Sequence, residues 1–319
     1  MTFVGIDIGG TQIKIGVVSS EGELLAHQSV NTPTNLDAFR GELQSSVSEM
    51  LKDAPQPLGV GIGCKGIVNI NTTEIETLPG TFRFLEGVSL ADLIRPVVPV
   101  NTLICADNDA RVALAGEVEW GAAKGRMNAL MLTLGTGIGG ALLADGKILR
   151  GARGIAGHLG HITINALGSV CSCGNHGCLE TAFSALAIEA EAIAAIHLGC
   201  ESMLTEQFQA KPDELSCRDV FDAAAAGDSL ALTIRDRAIK ALGAGLAGLV
   251  HAFDPELVIL GGQITAAGLT LFEPLREEVW WRSRRFMRGE IEIVPQQVKD
   301  QSGVVGAAAL ARSIIISRA

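Results

Sequence analysis

The sequence predicts a two-domain α/β protein assembled from two similar halves. Short apolar strands alternate with helical stretches throughout the chain, and 319 residues are enough to divide between two domains. A glycine turn joins two strands at Gly9-Gly10 and again at Gly135-Thr136-Gly137, at the same place in two βββ-plus-helix layouts. With 48% apolar and 19% charged residues, the chain has an enzyme-like composition, neither disordered nor fibrous.

Each element follows from local pattern. Strands are expected at Thr2–Ile8 and Thr11–Ser19 around the first glycine turn, then at Glu23–Val30 after Glu21-Gly22. A helix over Leu36–Lys52 leads to an apolar strand at Leu58–Gly63, an irregular stretch through Pro79-Gly80, and a short helix near Leu90–Ile94. The strand Thr102–Ala106 delivers Asp107-Asn108-Asp109 to the start of a helix, Ala110–Trp120. Gly121–Gly125 reads as the crossing between halves. Strands at Leu130–Leu134, Ile138–Ala144 and Lys147–Leu149 then repeat the opening layout. Helices follow at Leu179–Leu198, Cys217–Ala226 and Leu230–Phe253, with residues 199–216 as a surface insertion. A strand at Leu257–Leu260, the Gly261-Gly262 turn, a helix, a strand at Glu290–Val294 and a helix from Gly303 complete the chain. The expected division is residues 1–121, joined by the returning helix 303–319, and residues 122–302.

Charge and cysteine usage exclude several classes. A net charge of −10 argues against a general nucleic-acid or acidic-membrane surface, and Arg282-Ser283-Arg284-Arg285 reads as a solvated helix end. Cys64, Cys105, Cys200 and Cys217 are scattered, which suits a reducing cytoplasm better than a disulfide framework. The N-terminus lacks a basic leader and Asp7 interrupts its apolar run, while the longest apolar segments are too short or too interrupted to span a bilayer. The expectation is a cytoplasmic protein without nucleic-acid or membrane partners.

Glycine hairpins suit phosphate, because several backbone N–H donors can converge only where Cβ is absent. Gly10 with Thr11 and Thr136 with Gly137 supply two such hairpins, and Gly261-Gly262 adds a third turn after a strand. Together they point to a nucleotide in a cleft between the halves. Asp7 precedes the first turn, where a carboxylate could hold Mg²⁺ against the phosphates. Asp109, at a strand–helix junction, is placed to take a proton from a substrate hydroxyl, although Asp107 or Asp109 could instead cap the helix. Asn108 between them favours a site, since one cap suffices. The stretch Cys171-x-Cys173-x4-Cys178 brings three thiols together on a glycine-rich loop, with His158 and His161 upstream. This favours a tetrahedral zinc, with His161 as fourth ligand, over buried thiols or a disulfide.

Asp7–Thr11 (DIGGT), Asn108-Asp109-Ala110, Leu134–Gly140 (LGTGIGG), Gly157–His161 and Cys171–Glu180 (CSCGNHGCLE) resemble the successive signatures of the ROK-family sugar kinases. Gly261-Gly262 and Gly303–Ala307 fit the same pattern, so the likeness covers the whole chain. It implies an actin-like ATPase fold, with two ribonuclease H-like domains closing an interdomain cleft, and commonly a homodimer. It also implies structural Zn²⁺, Mg²⁺·ATP and γ-phosphoryl transfer to a hexose or N-acetylhexosamine, usually at the 6-hydroxyl. Glucose and N-acetylmannosamine are the leading sugars. By this likeness Asp109 is the base, and Gly66, Asn108, His158, His161 and Glu180 contact the sugar. Asp7, Gly9, Gly10, Thr11, Gln12, Thr136, Gly137 and Gly262 serve ATP and its metal, and His161, Cys171, Cys173 and Cys178 hold zinc. The alternative is a non-catalytic sugar sensor, since the family includes sugar-responsive repressors.

The chain departs from the pattern at four places. Gln12 replaces the usual Lys, Lys65-Gly66 replaces Pro-Gly, and Gly80 stands where Asn is common. His158 replaces a Glu, as it does in bacterial N-acetylmannosamine kinases of this family. An imidazole cannot accept from two hydroxyls as a carboxylate can, so sugar preference is expected to shift.

Overall fold

The computed structural model describes every residue except 53–55, 79–81, 212–213, 299–300 and 319. The expectation placed on Gly80 therefore lies outside the described residues. In chain order the elements are β1 (Thr2–Ile8), β2 (Gln12–Ser19), β3 (Leu24–Asn31), α1 (Leu36–Lys52), β4 (Gly59–Cys64), β5 (Ile67–Val68) and β6 (Ile75–Thr77). They continue with α2 (Leu90–Ile94), β7 (Leu103–Asn108), α3 (Asp109–Trp120), β8 (Ala129–Leu134), β9 (Ile138–Ala144) and β10 (Lys147–Ile148). The remainder are α4 (Ala185–His197), α5 (Leu204–Ala210), α6 (Cys217–Ala225), α7 (Ser229–Phe253), β11 (Leu257–Gly261), α8 (Leu269–Ser283), β12 (Glu292–Pro295) and α9 (Ser302–Arg318).

One sheet has the order β3-β2-β1-β4-β7, a second has β10-β9-β8-β11-β12, and β5 and β6 form a small hairpin. The chain groups into two compact units: residues 1–127, 141–157 and 296–319, and residues 128–140 and 158–295. Residues 141–157, which the sequence ranges assigned to the later part, group with the first unit.

In the first unit, β1 shows why a strand alternating in burial partners forms here. Val4, Ile6 and Ile8 join one buried cluster with Phe39 and Leu43 of α1, while Phe3 joins another with Val112 of α3 and Val304 of α9. Helix α9 lies so close to the sheet that a Cβ on Gly5 or Gly61 would overlap the carbonyls of Val304 or Ala307. Glycine at these two positions is what lets the last helix return to the first unit.

Parallel pairing of β1 with β4 and of β4 with β7 sets the site. Asp7, Gly63 and Asp107 stand level across the three strands, and Ile8, Cys64 and Asn108 form the next row. Strand β7 continues two residues beyond the expected Ala106, so Asp107 and Asn108 are buried strand residues and Asp109 opens the helix. In the second unit, β11 runs parallel to β8 with Gly261 opposite Thr133, placing Gly262 beside the turn that follows β8. The expected insertion at 199–216 contains α5.

Candidate active site

Two groups of site residues are built locally, one in each unit. In the first unit they gather at the C-terminal ends of three parallel strands, where open α/β sheets present functional groups. Asn108 takes the helix cap by accepting from Ala110 N at 3.1 Å, and its Nδ2 donates to the Gly66 carbonyl at 3.1 Å. This joins Gly66 to Asn108. Asp109, the first residue of α3, also accepts from Ala110 N, at 2.9 Å through Oδ1.

Asp7 lies on the β1 face that meets α9, and a Cβ on Gly303 would run into its carboxylate. Burial, then the nearby charge of Asp109, push the Asp7 carboxyl up to about 6, and Lys14 offsets part of this. Burial and the same two carboxylates push the Cys64 thiol up as well. Asp7, Cys64 and Asp109 thus share one electrostatic neighbourhood, in which Cys64 stays a neutral thiol. At the first glycine turn, Gly9 N donates to Gln12 O at 3.0 Å and Thr32 holds the Gly9 carbonyl at 2.9 Å. Gly10 and Thr11 are exposed, and the exposed Gln12 side chain accepts from Ser29 Oγ at 3.3 Å.

In the second unit, the turn Gly135-Thr136-Gly137 is closed by a 3.0 Å bond from Gly135 N to Gly137 O. Glu180 Oε2 accepts from Ile138 N at 2.8 Å, and any Cβ on Gly137 would strike that carboxylate. Gly262 has a φ of 87°, and a Cβ there would overlap the Leu134 backbone, so only glycine fits beside the hairpin. Next to the hairpin opens a cavity of about 690 Å³, lined by Gly135, Thr136, Glu189, Cys217, Arg218 and Gln263 among others. That volume falls within the range of small-molecule and cofactor sites.

The cysteine loop lies in the same unit. Cys173 Sγ is 3.7 Å from Cys178 Sγ, Cys171 Sγ is 3.5 Å from His161 Nδ1, and all four donor atoms fall within 4.8 Å of one another. Zn–S bonds of about 2.3 Å in a tetrahedron put neighbouring sulfurs about 3.8 Å apart, so the donor set fits zinc. Glu180 ties this loop to the hairpin, since Ser172 Oγ lies 3.5 Å from its Oε1. His158 precedes the short 3-10 turn Leu159–His161 and its ring stacks near that of His161, with centroids 6.5 Å apart.

The ROK family profile matches residues 3–314. The chain belongs to the ROK family. This ROK protein is 34% identical over 321 residues to a glucokinase of Thermotoga maritima, covering 99% of this chain and 98% of that one. It is 28% identical to an N-acetylmannosamine kinase of Yersinia pestis, covering 97% and 98%. A crystal structure of a ROK family glucokinase from Streptomyces griseus, in complex with glucose and AMPPNP, superposes with a TM-score of 0.83 at 30% identity, covering 98% of this chain and 100% of that one. With the two sheets described above, these likenesses make the architecture the actin-like ATPase fold of the ROK kinases.

Sequence reasoning brought the two glycine turns, the Asn108-Asp109 junction and the cysteine cluster into view. It missed Cys64, Lys14 and Gly303 around Asp7, and Glu189, Cys217 and Arg218 in the cavity. Pairing with Ile8, the residue after Asp7, is the signal for Cys64. The cavity residues on α4 and α6 leave no signal in the local sequence.

Proposed function

We infer that this ROK protein is an ATP-dependent sugar kinase, transferring the γ-phosphoryl group to a hexose or N-acetylhexosamine hydroxyl, the 6-hydroxyl foremost. The observation that carries the reading is Asp109 at the head of α3, with Asn108 supplying the cap. A capping explanation for Asp109 is thereby unnecessary, and its position suits a base that takes the proton of the attacking hydroxyl. Gly66, Asn108, His158, His161 and Glu180 are assigned to the sugar, with Glu180 accepting through Oε1 because Oε2 holds Ile138 N.

ATP is assigned to the cavity beside Thr136, Gly137 and Gly262, and its phosphates to these and the Gly9-Gly10-Thr11-Gln12 turn. Asp7 is the carboxylate assigned to Mg²⁺, which would neutralise phosphate charge. A single structural Zn²⁺ would be held by His161 Nδ1, Cys171, Cys173 and Cys178, with no open position. Ligation through Nδ1 leaves the proton on Nε2, where His161 can donate to a sugar hydroxyl. Buried cysteines that form no disulfide suit a cytoplasmic location, and a homodimer is the expected assembly.

Glucose and N-acetylmannosamine are the sugars proposed, with His158 the feature that separates them. A coupled spectrophotometric assay with Mg·ATP over glucose, mannose, N-acetylglucosamine, N-acetylmannosamine, allose and fructose tests the function. Absence of sugar-dependent ADP formation from all six would overturn it.

A further inference from the structure

We propose that Arg111 is a positioning residue for sugar binding, fastening the segment 150–157 to the first turn of the helix that begins with Asp109. The inference rests on the sugar-kinase reading, because that segment runs directly into His158. Arg111 is 1% exposed and Asp107 is fully buried. Asp107 Oδ1 receives Arg111 Nη1 at 3.0 Å and Asn108 N at 2.8 Å, while Oδ2 receives Arg150 Nε at 2.7 Å. The other arm of Arg111, Nη2, donates to the carbonyls of Gly154 and of Ala156, the latter at 2.7 Å. Within the segment, Ala156 N closes back on the Arg150 carbonyl at 3.1 Å.

The segment needs such a fastening. Gly151, Gly154 and Gly157 all have positive φ, of 73°, 70° and 97°. A backbone with three such glycines has many other conformations open to it, so external tethers decide which one is held. Only a planar guanidinium can satisfy a carboxylate on one side and two carbonyls on the other; an ammonium is a point donor. A buried ion cluster is weak evidence for stability, since apolar replacements are often neutral or better. Its distinctive effect is to fix one geometry for the loop and for Asn108, whose backbone N–H the same Asp107 holds.

Two variants separate this role from general support: Arg111→Lys, which keeps the charge opposite Asp107, and the charge-free pair Asp107→Leu/Arg111→Met, which leaves no unpaired buried charge between these two. Both should raise the sugar KM roughly tenfold or more, as small misplacements do. KM for ATP should change by less than about twofold, because the cavity residues are untouched. Hydrogen exchange at the Ala156 amide should quicken in both variants, with the unfolding midpoint of the pair near the parental one. Parental sugar KM with parental exchange at Ala156, in either variant, would overturn the proposal. If the unsubstituted protein phosphorylates no sugar, the kinase reading fails instead, and the Ala156 amide decides the clamp alone.

Discussion

Asp7 offers a test in which stability and function pull apart. Its carboxyl is raised from an ordinary 3.8 to about 6, by burial first and by Asp109 second. A folded-state pKa above the unfolded one means that the proton favours the folded chain. The stabilisation is therefore complete below about pH 4 and is lost as pH rises through about 6. At 1.36 kcal/mol per tenfold change, the ionised carboxylate costs about 3 kcal/mol at pH 7 and above. Asn keeps the size and removes the charge, so Asp7→Asn should stabilise the metal-free protein by up to about 3 kcal/mol at pH 8. Little gain should remain at pH 4. Urea unfolding in a chelator at pH 4, 6 and 8 measures this directly. A gain of the same size at all three pH values, or none at pH 8, would refute the reasoning. The same variant should lose phosphoryl transfer if Asp7 serves Mg²⁺, the trade expected of a strained functional group.

Further outcomes follow from single residues. Asp109→Asn should fold and bind sugar yet lose kcat by roughly two to four orders of magnitude in the coupled assay; near-normal turnover would remove Asp109 from the role. Elemental analysis should find about one zinc per chain by the four-ligand count, and Cys171→Ser should lose metal and thermal stability together. Full activity without zinc would contradict this. Gly137→Ala sets a methyl against the Glu180 carboxylate; overpacking of this kind costs about 1–3 kcal/mol, and an unchanged unfolding midpoint would show that the hairpin yields freely. His158→Glu should move kcat/KM toward glucose over N-acetylmannosamine by roughly one to two orders of magnitude if a paired hydroxyl is gained. An unchanged ratio would make His158 a bystander.

What was legible in the sequence is what is local in the chain. The cysteine cluster and both glycine turns are written in fewer than about a dozen residues each, so spacing alone brings their atoms together. The fold was legible for a related reason: strands such as β1 alternate sides, sending Val4, Ile6 and Ile8 toward α1 and Phe3 and Gly5 toward α9, and the period survives without knowledge of the partner. Residues whose meaning depends on a distant partner were not legible. Cys64 stands level with Ile8 beside Asp7 on a neighbouring strand, Gly303 packs against the Asp7 carboxylate from the last helix, and nothing near either residue announces it.

Asp107 shows the limit most clearly. In the sequence, Asp107 and Asp109 are interchangeable as helix cap, because both flank Asn108 before the same helix. The structure separates them through groups the local sequence cannot supply. Strand β7 runs on to Asn108, which takes the cap itself, and Asp107 is turned inward onto Arg111 and Arg150, the latter 43 residues away. Both oxygens of this carboxylate are taken, Oδ1 by Arg111 and the Asn108 N–H and Oδ2 by Arg150, so it is committed to holding these groups. Asp109 instead opens the helix, with Oδ1 accepting from Ala110 N. Exchange of Asp107 by Asn should therefore disturb the loop at 150–157 and the sugar KM before it disturbs the chemical step. A kcat loss as deep as that of Asp109→Asn, with sugar KM unchanged, would reverse the assignment of the two aspartates.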